Sequence, residues 1–554
     1  MFRQPVFILR TNVLIQEVNS AKFRYTKVRY TDCETELMMF FTRQSLKTGQ
    51  QILGSRSGNS RKMQGQFLTP EPLAQFIAKQ LGKIANGEHI LDPAMGSGTL
   101  LCAVIDHLIA EGDPLELCLD GFELDEELYA AAEAVLLDAV TEAAKHGIII
   151  HLRLFHADFV LNGLQFLRPS LLDMPVGQRY YQHIVANPPY FKINTEDTRR
   201  QAAEGLLNGH TNIYTLFMGL AARMLKDGRA CFIVPRSFCS GAYFTGFRRE
   251  FLDHAAVQHI HLFEARDDAF SQDDVLQENL VITFSSRDEL FDHLTEISSS
   301  ASLEALANGI YSRQITQEQF VSPLGLFRLP TSEMDEMILD AVDGWIDTVQ
   351  THGMEISTGP VVPFRATQHL LDEPADISSV PLLWMQHIKP QQVTWPINGG
   401  FRKSQYMACV PTLLVRNTNY VLLRRFSAKE EARRLVAAPY LADEYPFESV
   451  GLENHLNYTY CRNREMTMYE AVGLSALLNS GLIDRYFRIS NGNTQVNAAE
   501  LRALPLPPLT VIRAIGEVIA KDETADLDEI VVQMLQVYGL IPTDLPILRE
   551  TRVL

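Results

Sequence analysis

The feature that most constrains the fold is an alternation of short apolar runs with amphipathic helical segments. Five successive apolar runs are interpreted as strands with their turns, within 89–100, 118–125, 148–155, 184–190 and 228–235. Two further strands are predicted at 257–263 and 279–284, and helices at 71–83, 100–110, 126–145, 212–225 and 243–254. This alternation predicts an α/β fold with a mostly parallel sheet and helices on both faces. In such sheets, ligands bind beyond the carboxyl ends of the strands.

The turn after the fourth strand carries Asn187, Pro188, Pro189 and Tyr190. The two prolines remove two backbone donors and fix two φ angles, so the turn is stiff. Two acceptors, Asn187 Oδ1 and the Pro188 carbonyl, suit the hydrogens of an exocyclic amine on a base. They would favour a tetrahedral nitrogen with a localised lone pair, and Tyr190 could stack on the base. Taken alone, the motif fits a proline turn with an asparagine cap equally well or better.

A glycine-rich turn follows the first strand, in the stretch Asp92-Pro93-Ala94-Met95-Gly96-Ser97-Gly98. Glycines let a cofactor approach the backbone closely. The spacing lacks the full dinucleotide-binding pattern and no Walker lysine follows, so neither NAD nor ATP is favoured. Upstream, Thr69 is predicted to cap a helix that has Pro70 at its first position. The free amides of that helix could hold an anion such as a carboxylate.

Acidic residues follow the first three predicted strands, namely Asp92, Glu123 and Asp158. Glu123 stands about 25 residues after the glycine turn, close to the separation at which an acidic residue binds ribose hydroxyls. Asp158 could accept a hydrogen bond from an adenine amine. A single acid is more often a surface residue or a helix cap, but three strand ends in series favour a binding role.

After a transition from about Ser285 to Pro330, the pattern changes and indicates a second, mixed α/β domain over 331–554. A helix is predicted from Thr331 to Trp345, starting at Ser332 with Asp335 in a capping box. Within 401–440, eight basic residues against two Glu give a local balance of +6, which suits a nucleic-acid surface or, equally, a solvated face. The eight are Arg402, Lys403, Arg416, Arg424, Arg425, Lys429, Arg433 and Arg434.

Composition sets broader bounds. A hydrophobic content of 46% with 21% charged residues is typical of a soluble globular protein. The net charge of −18 argues mildly against a nucleic-acid partner, although binding needs only a local basic face. The sequence predicts no membrane span and no signal peptide. Seven scattered cysteines favour reduced thiols in a cytoplasmic protein without a metal site, and no role is assigned to residues 1–62.

On these motifs the chain resembles the gamma-class DNA adenine N6-methyltransferases of restriction-modification systems. The order is similar, with the glycine turn first, Asn187-Pro188-Pro189-Tyr190 about 90 residues later, and a recognition domain last. The resemblance is clear from about Gln64 to Phe284 and looser beyond. It implies a Rossmann-like methyltransferase domain over 63–330, dependent on S-adenosylmethionine (SAM), and a target-recognition domain over 331–554.

The resemblance also implies which residues contact SAM. Thr69 and the glycine turn would hold the methionine part, with Asp92 near its amino group. Glu123 would bind the ribose and Leu124 would pack on the adenine. The full implied set is Thr69, Asp92, Ala94, Gly96, Gly98, Glu123, Leu124, Asp158 and Phe159.

For the substrate, the resemblance implies an adenine flipped out of double-stranded DNA. Asn187 and Pro188 would hold the target amine, Tyr190 would stack on the base, and Phe270 would lie against it. The second domain would recognise the DNA site through two runs of residues, 422–427 and 490–496. The residues implied there are Arg424, Arg425, Asn491, Asn493 and Gln495. No nuclease signature is evident, so cleavage is expected to belong to a separate restriction endonuclease.

Two other classes of function stay open from the sequence. Related Asn-Pro-Pro motifs serve methyltransferases that act on ribosomal RNA or on protein glutamine, but those usually lack a large C-terminal domain. A non-catalytic SAM-binding or DNA-binding subunit is the third possibility, and the intact motif at Asn187 counts against it.

Overall fold

A computed structural model of the chain describes residues 39–56, 67–167, 180–205, 207, 212–263, 279–287, 294–307, 311–322, 325–374, 379–427, 431–490, 495–522 and 524–548. The chain divides into two compact units, Met1–Thr331 and Ser332–Leu554. Within the described residues, no helix combines the length and the apolar character needed to cross a membrane.

The first unit is built on one large sheet. Its strands are β1 (His89–Asp92), β2 (Leu115–Glu123), β3 (Ile148–His156), β4 (Tyr181–Ala186), β5 (Leu225–Pro235), β6 (Ala255–Phe263), β7 (Asn279–Ser286), β8 (Thr295–Ser300) and β9 (Tyr311–Ile315). They lie in the order β3-β2-β1-β4-β5-β7-β6-β8-β9. Strands β1 to β5 pair in parallel, and β7 runs antiparallel between β5 and β6. The predicted α/β class and mostly parallel sheet are confirmed.

The helices of this unit connect and cover the strands. They are α1 (Phe40–Gly54), α2 (Glu71–Gln80), α3 (Thr99–Glu111), α4 (Glu126–Lys145), α5 (Phe159–Leu167), α6 (Thr198–Ala203), α7 (Ile213–Met224), α8 (Thr245–His254) and α9 (Gln317–Phe320). Helix α4 begins at a true cap, because the Asp125 carboxylate accepts from the Leu128 amide. Helix α7 is buried on nearly all sides, which places it inside the unit rather than on its surface.

The strand order places a topological switch point between β1 and β4. From β1 the chain moves through β2 to β3 on one side, then returns to β4 on the other side. Helices that leave the two halves in opposite directions open a crevice at this position, and ligands bind there. Asp92 ends β1 and Asn187 follows β4, so the two motifs flank the crevice.

Two predictions about this unit were wrong. The stretch interpreted as a transition contains β8 and β9, which extend the sheet beyond β6. Thr69 does not cap α2: the cap position belongs to Pro70, and no side chain donates or accepts there. The proline pattern was shifted by one residue, since Pro72 occupies the second helical position.

The second unit is mixed α/β, as predicted. Its strands are β10 (Met354–Thr358), β11 (Leu370–Leu371), β12 (Ser379–Leu383), β13 (Ile388–Lys389), β14 (Gln392–Val393), β15 (Tyr406–Ala408), β16 (Val415–Arg416), β17 (Tyr420–Arg424), β18 (Ala437–Tyr440), β19 (Ser449–Leu452) and β20 (Leu456–Cys461). They form sheets in the orders β10-β20-β17-β18, β11-β15-β12-β19-β16 and β13-β14.

The helices of the second unit pack against the first of these sheets and against each other. They are α10 (Glu333–Asp343), α11 (Met468–Asn479), α12 (Gly481–Ser490), α13 (Ala498–Arg502), α14 (Leu509–Lys521) and α15 (Leu527–Val537). The predicted capping box is confirmed, because Ser332 accepts from the Asp335 amide while the Asp335 carboxylate accepts from the Ser332 amide.

Candidate active site

The carboxyl edge of β1, β2 and β4 encloses a cavity of about 520 Å³. Small-molecule and cofactor sites are typically about 300–1,000 Å³. Eight of the sequence-predicted residues line it: Ala94, Gly96, Glu123, Leu124, Asp158, Phe159, Asn187 and Pro189. The predicted cofactor edge and the predicted catalytic turn therefore share one cavity.

The glycine turn brings backbone to the cavity wall. Gly96 and Gly98 have φ angles of 55° and 89°, a left-handed conformation that side chains rarely adopt. A Cβ built on Gly96 would meet no atom within 4 Å, whereas one on Gly98 would come within 3.3 Å of Leu136. Gly96 thus leaves open space where a ligand can approach, and Gly98 is needed for close packing of the turn.

Glu123 organises this turn. Its carboxylate accepts hydrogen bonds from the amides of Gly96 (2.9 Å), Leu124 (2.9 Å) and Asp125 (2.8 Å). Burial raises the pKa of Glu123, and the three amides partly oppose that rise. A carboxylate has about four acceptor positions, so about one is left for a ligand hydroxyl. Leu124 beside it is 60% exposed, an apolar surface open at the cavity.

Asp92 is almost fully buried at the end of β1. Its Oδ1 accepts from the Ala94 amide at 3.0 Å, while its Oδ2 has no partner among the described residues. The pKa of Asp92 is raised to about 8, mainly by burial and to a smaller extent by the nearby Glu123 carboxylate, while the Ala94 amide opposes the rise. Asp92 does not itself line the cavity, although its neighbours Pro93 and Ala94 do. An unpartnered buried oxygen suits a cationic amino group.

Asp158 lies between the end of β3 and the start of α5. It has a basic neighbour, Arg199, that the sequence analysis did not predict. Its Oδ1 accepts from the Leu161 amide at 3.1 Å. Its Oδ2 lies 3.9 Å from a guanidinium nitrogen of Arg199, which is held by Asp197 through two hydrogen bonds of 2.9 and 2.6 Å. The Arg199 guanidinium also lies over the Phe191 ring, 5.2 Å from its centroid.

The Asn187 side chain is held by hydrogen bonds at both ends. Its Nδ2 donates to the Phe67 carbonyl at 2.9 Å and to the Thr69 hydroxyl at 3.1 Å. Its Oδ1 accepts from the Tyr190 hydroxyl at 2.7 Å. That hydroxyl also lies 2.8 Å from the Ile233 carbonyl, so one proton serves two acceptors.

Tyr190 does not present a free ring. It is 8% exposed and stacks on Phe67 with ring centroids 5.8 Å apart. Burial raises the pKa of its hydroxyl well above the usual value, which keeps it a hydrogen-bond donor. Stacking on a target base would require this aromatic pair to rearrange, and it stays a prediction.

Sequence reasoning missed the N-terminal helix α1 as part of the site. The Ser45 hydroxyl donates to the Ser97 carbonyl at 2.6 Å, and Leu53 lines the cavity. Arg56 donates to both carboxylate oxygens of Asp125, at 2.6 and 2.9 Å. No local sequence signal marked these contacts, because each joins positions more than 50 residues apart. The other cavity-lining residues without a predicted role are Phe67, Leu68, Pro93, Phe122, Asp125, Leu128, Ala157, Phe191, Arg199 and Phe217.

The basic stretch of the second unit differs from its interpretation as an open basic face. Arg434 is fully buried, donates to the Ser427 carbonyl, and has its pKa lowered by burial to about 10. Arg433 forms an ion pair with Asp528. Arg424 donates to the Ile388 carbonyl at 2.8 Å. The prediction that this stretch forms an open basic surface is therefore wrong for Arg433 and Arg434, because Arg434 is buried and Arg433 is mostly buried and paired with Asp528.

Arg425 and Gln495 lie together in this unit. With its carboxamide oxygen toward the guanidinium, Gln495 accepts from Arg425 at 2.7 and 3.0 Å. Arg425 also donates to the Asn454 carbonyl at 3.1 Å. Phe270, Asn491 and Asn493 lie outside the described residues.

Known proteins are similar to this chain over most of its length. Residues 150–270 match the family model described as Eco57I restriction-modification methylase. The type II methyltransferase M.PstI of Providencia stuartii is 30% identical over 86% of this chain and 94% of its own. The type II methyltransferase M.BsuBI of Bacillus subtilis is 32% identical over 82% and 89%.

A solved structure gives a weaker likeness. The methyltransferase subunit of a type I restriction-modification system from Streptococcus thermophilus is 16% identical, with a TM-score of 0.35 over 47% of this chain and 58% of that one. Because M.PstI and M.BsuBI are at least 30% identical to this chain over more than four fifths of its length, the chain belongs to the type II methyltransferases of restriction-modification systems.

Proposed function

We propose that the chain is a site-specific DNA methyltransferase that transfers a methyl group from SAM to the N6 amine of an adenine in duplex DNA. The observation that carries the proposal is the fixed carboxamide of Asn187, which lines the same cavity as Glu123 and Asp158. An amide acceptor next to a nucleoside-sized site suits an exocyclic amine beside an adenosyl cofactor.

The residues fit SAM. The open space at Gly96 would let the cofactor approach the backbone of the turn. The remaining acceptor position of Glu123 would bind the ribose, and the exposed Leu124 would pack on the adenine. Asp158, next to Arg199, would accept from the adenine amine, and Phe159 would pack at its edge. Asp92 would face the amino group of the methionine part. When bound, SAM supplies an electrophilic methyl group on a sulfonium.

The catalytic turn would act on the target nitrogen. Asn187 Oδ1 and the Pro188 carbonyl accept the two amine hydrogens, which localises the nitrogen lone pair. With SAM bound, this nitrogen would take the methyl group as the S–C bond breaks, the cofactor would leave as a neutral thioether, and the proton that the methylated nitrogen loses would pass to solvent water. Tyr190 can turn its proton fully to the Ile233 carbonyl, so Asn187 Oδ1 becomes free without leaving the tyrosine unpaired.

The target base must leave the duplex to reach this cavity, which costs a few kcal/mol. We propose that the second unit, 332–554, selects the DNA site and that a separate restriction endonuclease performs cleavage. The exposed basic residues Arg402, Lys403 and Arg416 are better placed for phosphate contacts than the buried arginines of the same stretch.

Modified-base sequencing of DNA from cells that express the protein tests this function. N6-methyladenine in one short sequence context is the expected result, absent in cells that express Asn187→Ala. Methylated cytosine, or unmodified DNA together with methyl transfer to RNA or protein by the purified enzyme, would overturn it.

A further inference from the structure

Thr69 connects the start of α2 with the end of β4, two positions that are 118 residues apart. The sequence offers two roles for its hydroxyl, a helix cap and a contact to the cofactor. The hydroxyl does not cap α2. Its neighbours Phe67 and Leu68 line the cavity, but Thr69 does not, and it is 3% exposed.

The direction of the Thr69–Asn187 hydrogen bond follows from its neighbour. The Phe67 carbonyl can only accept, so the atom of the Asn187 side chain that faces it must be the nitrogen. That nitrogen also faces the Thr69 hydroxyl, which must then accept. Both amide hydrogens are consumed, and the carboxamide oxygen is left on the opposite side, where Tyr190 donates to it.

The orientation matters for the chemistry. If the carboxamide turned over, Asn187 would present N–H groups to the hydrogens of the target amine, and the two sets of donors would repel. The Phe67 carbonyl alone holds one amide hydrogen. Thr69 holds the second and so fixes the plane of the carboxamide as well as its direction.

We propose that Thr69 is a positioning residue for Asn187 and that its hydroxyl aligns the catalytic carboxamide rather than binding the cofactor. The proposal rests on the proposed function, because it assigns Asn187 Oδ1 to the target amine. Thr69 then acts on the rate of methyl transfer, whereas a cofactor ligand acts on cofactor affinity.

Thr69→Val removes the hydroxyl at nearly constant volume, and Thr69→Ser keeps it. With SAM and DNA saturating, Thr69→Val should lower kcat about tenfold, the effect of about 1.4 kcal/mol on the barrier. Thr69→Ser should restore most of this rate. Calorimetric titration with S-adenosylhomocysteine (SAH) should give the same affinity for all three proteins. The control is Thr295→Val, which removes another buried hydroxyl bond, to the Val257 carbonyl on β6, and should leave kcat unchanged.

A second measurement does not need activity. In the cofactor-free protein, Thr69→Val should lower the Tm, and the same change in an Asn187→Ala background should have little effect, because its partner is gone. If the wild-type protein methylated no DNA, the proposed function would be refuted. The Tm comparison of the two single variants and the double variant would still show whether Thr69 and Asn187 interact. Additive Tm shifts, or a Thr69→Val variant with weaker SAH binding and unchanged kcat, would overturn the positioning role.

Discussion

The two units use their polar side chains in opposite ways. At the carboxyl edge of the first unit, polar groups retain capacity for a ligand: Asp92 Oδ2 has no partner among the described residues, and Glu123 keeps about one acceptor position. In the basic stretch of the second unit, Arg433 and Arg434 are already paired or buried. A motif at a strand end was therefore a better guide to polar groups that keep hydrogen-bonding capacity than a local excess of charge was.

Among changes at the carboxyl edge of the first unit, removal of Glu123 should have the largest effect on cofactor affinity. Glu123→Ala removes the proposed ribose acceptor and leaves three backbone amides without their shared partner, so SAH affinity should fall at least about tenfold. Glu133→Ala, an exposed change on α4, is the control and should bind normally. Unchanged calorimetric affinity for Glu123→Ala would remove it from the cofactor site.

Asp92 allows a pH-dependent test of the proposed cofactor site in the first unit. Its pKa of about 8 means that the carboxyl is largely protonated at neutral pH. Binding of a cationic amino group favours the carboxylate, so SAH binding at pH 7 should release close to one proton, measured by titration in buffers of different ionisation enthalpy. Asp92→Asn should abolish this release. Proton release that survives in Asp92→Asn would assign it to another group.

The raised pKa of Asp92 also predicts how stability depends on pH. The unfolded chain loses this proton near pH 4, whereas the folded protein keeps it up to about pH 8. The contribution of Asp92 therefore favours the folded state at low pH and is lost as the pH rises toward 8. Asp92→Asn should flatten the fall of Tm across this window, and an unchanged slope would contradict the assignment.

Charge changes in the second unit should give smaller and separable effects. Reversal of the exposed pair, Arg402→Glu with Lys403→Glu, should weaken binding to all duplexes and reduce the log–log salt slope by about 0.9 for each phosphate that the protein no longer neutralises. Arg434→Met should leave the salt slope unchanged, because that side chain is buried. If Arg434→Met lowered the slope and the exposed reversal did not, the inferred division between buried and exposed charges would be wrong.

Local patterns predicted local structure well. The helix 126–145 was predicted with the bounds that the structure has. The Ser332–Asp335 capping box was also correct, although its helix covers Glu333–Asp343 and not the predicted 331–345. A cap and a periodic apolar face are encoded within a few residues. The strand ends that carry Asp92, Glu123 and Asn187 followed from the same kind of signal.

What the sequence could not predict depends on contacts between distant positions. The partner of Thr69 lies 118 residues away, and α1 reaches the glycine turn across more than 50 residues. Arg434 is fully buried, and its backbone amide donates to Asp484 on helix α12, 50 residues further along the chain. Such pairings follow from the fold as a whole, so a residue count along the chain cannot reveal them.

The sharpest test of the role of Asn187 compares cofactor binding and methyl transfer in one preparation of Asn187→Ala. Asn187 is assigned to the target amine and not to SAM, so SAH affinity should stay within about twofold of wild type while transfer to DNA falls by at least about a hundredfold, as for loss of a preorganised polar group. Asn194→Ala, an exposed change in the same loop, should retain both properties. A loss of SAH affinity as severe as the loss of transfer would contradict the assignment of Asn187 to the substrate nitrogen.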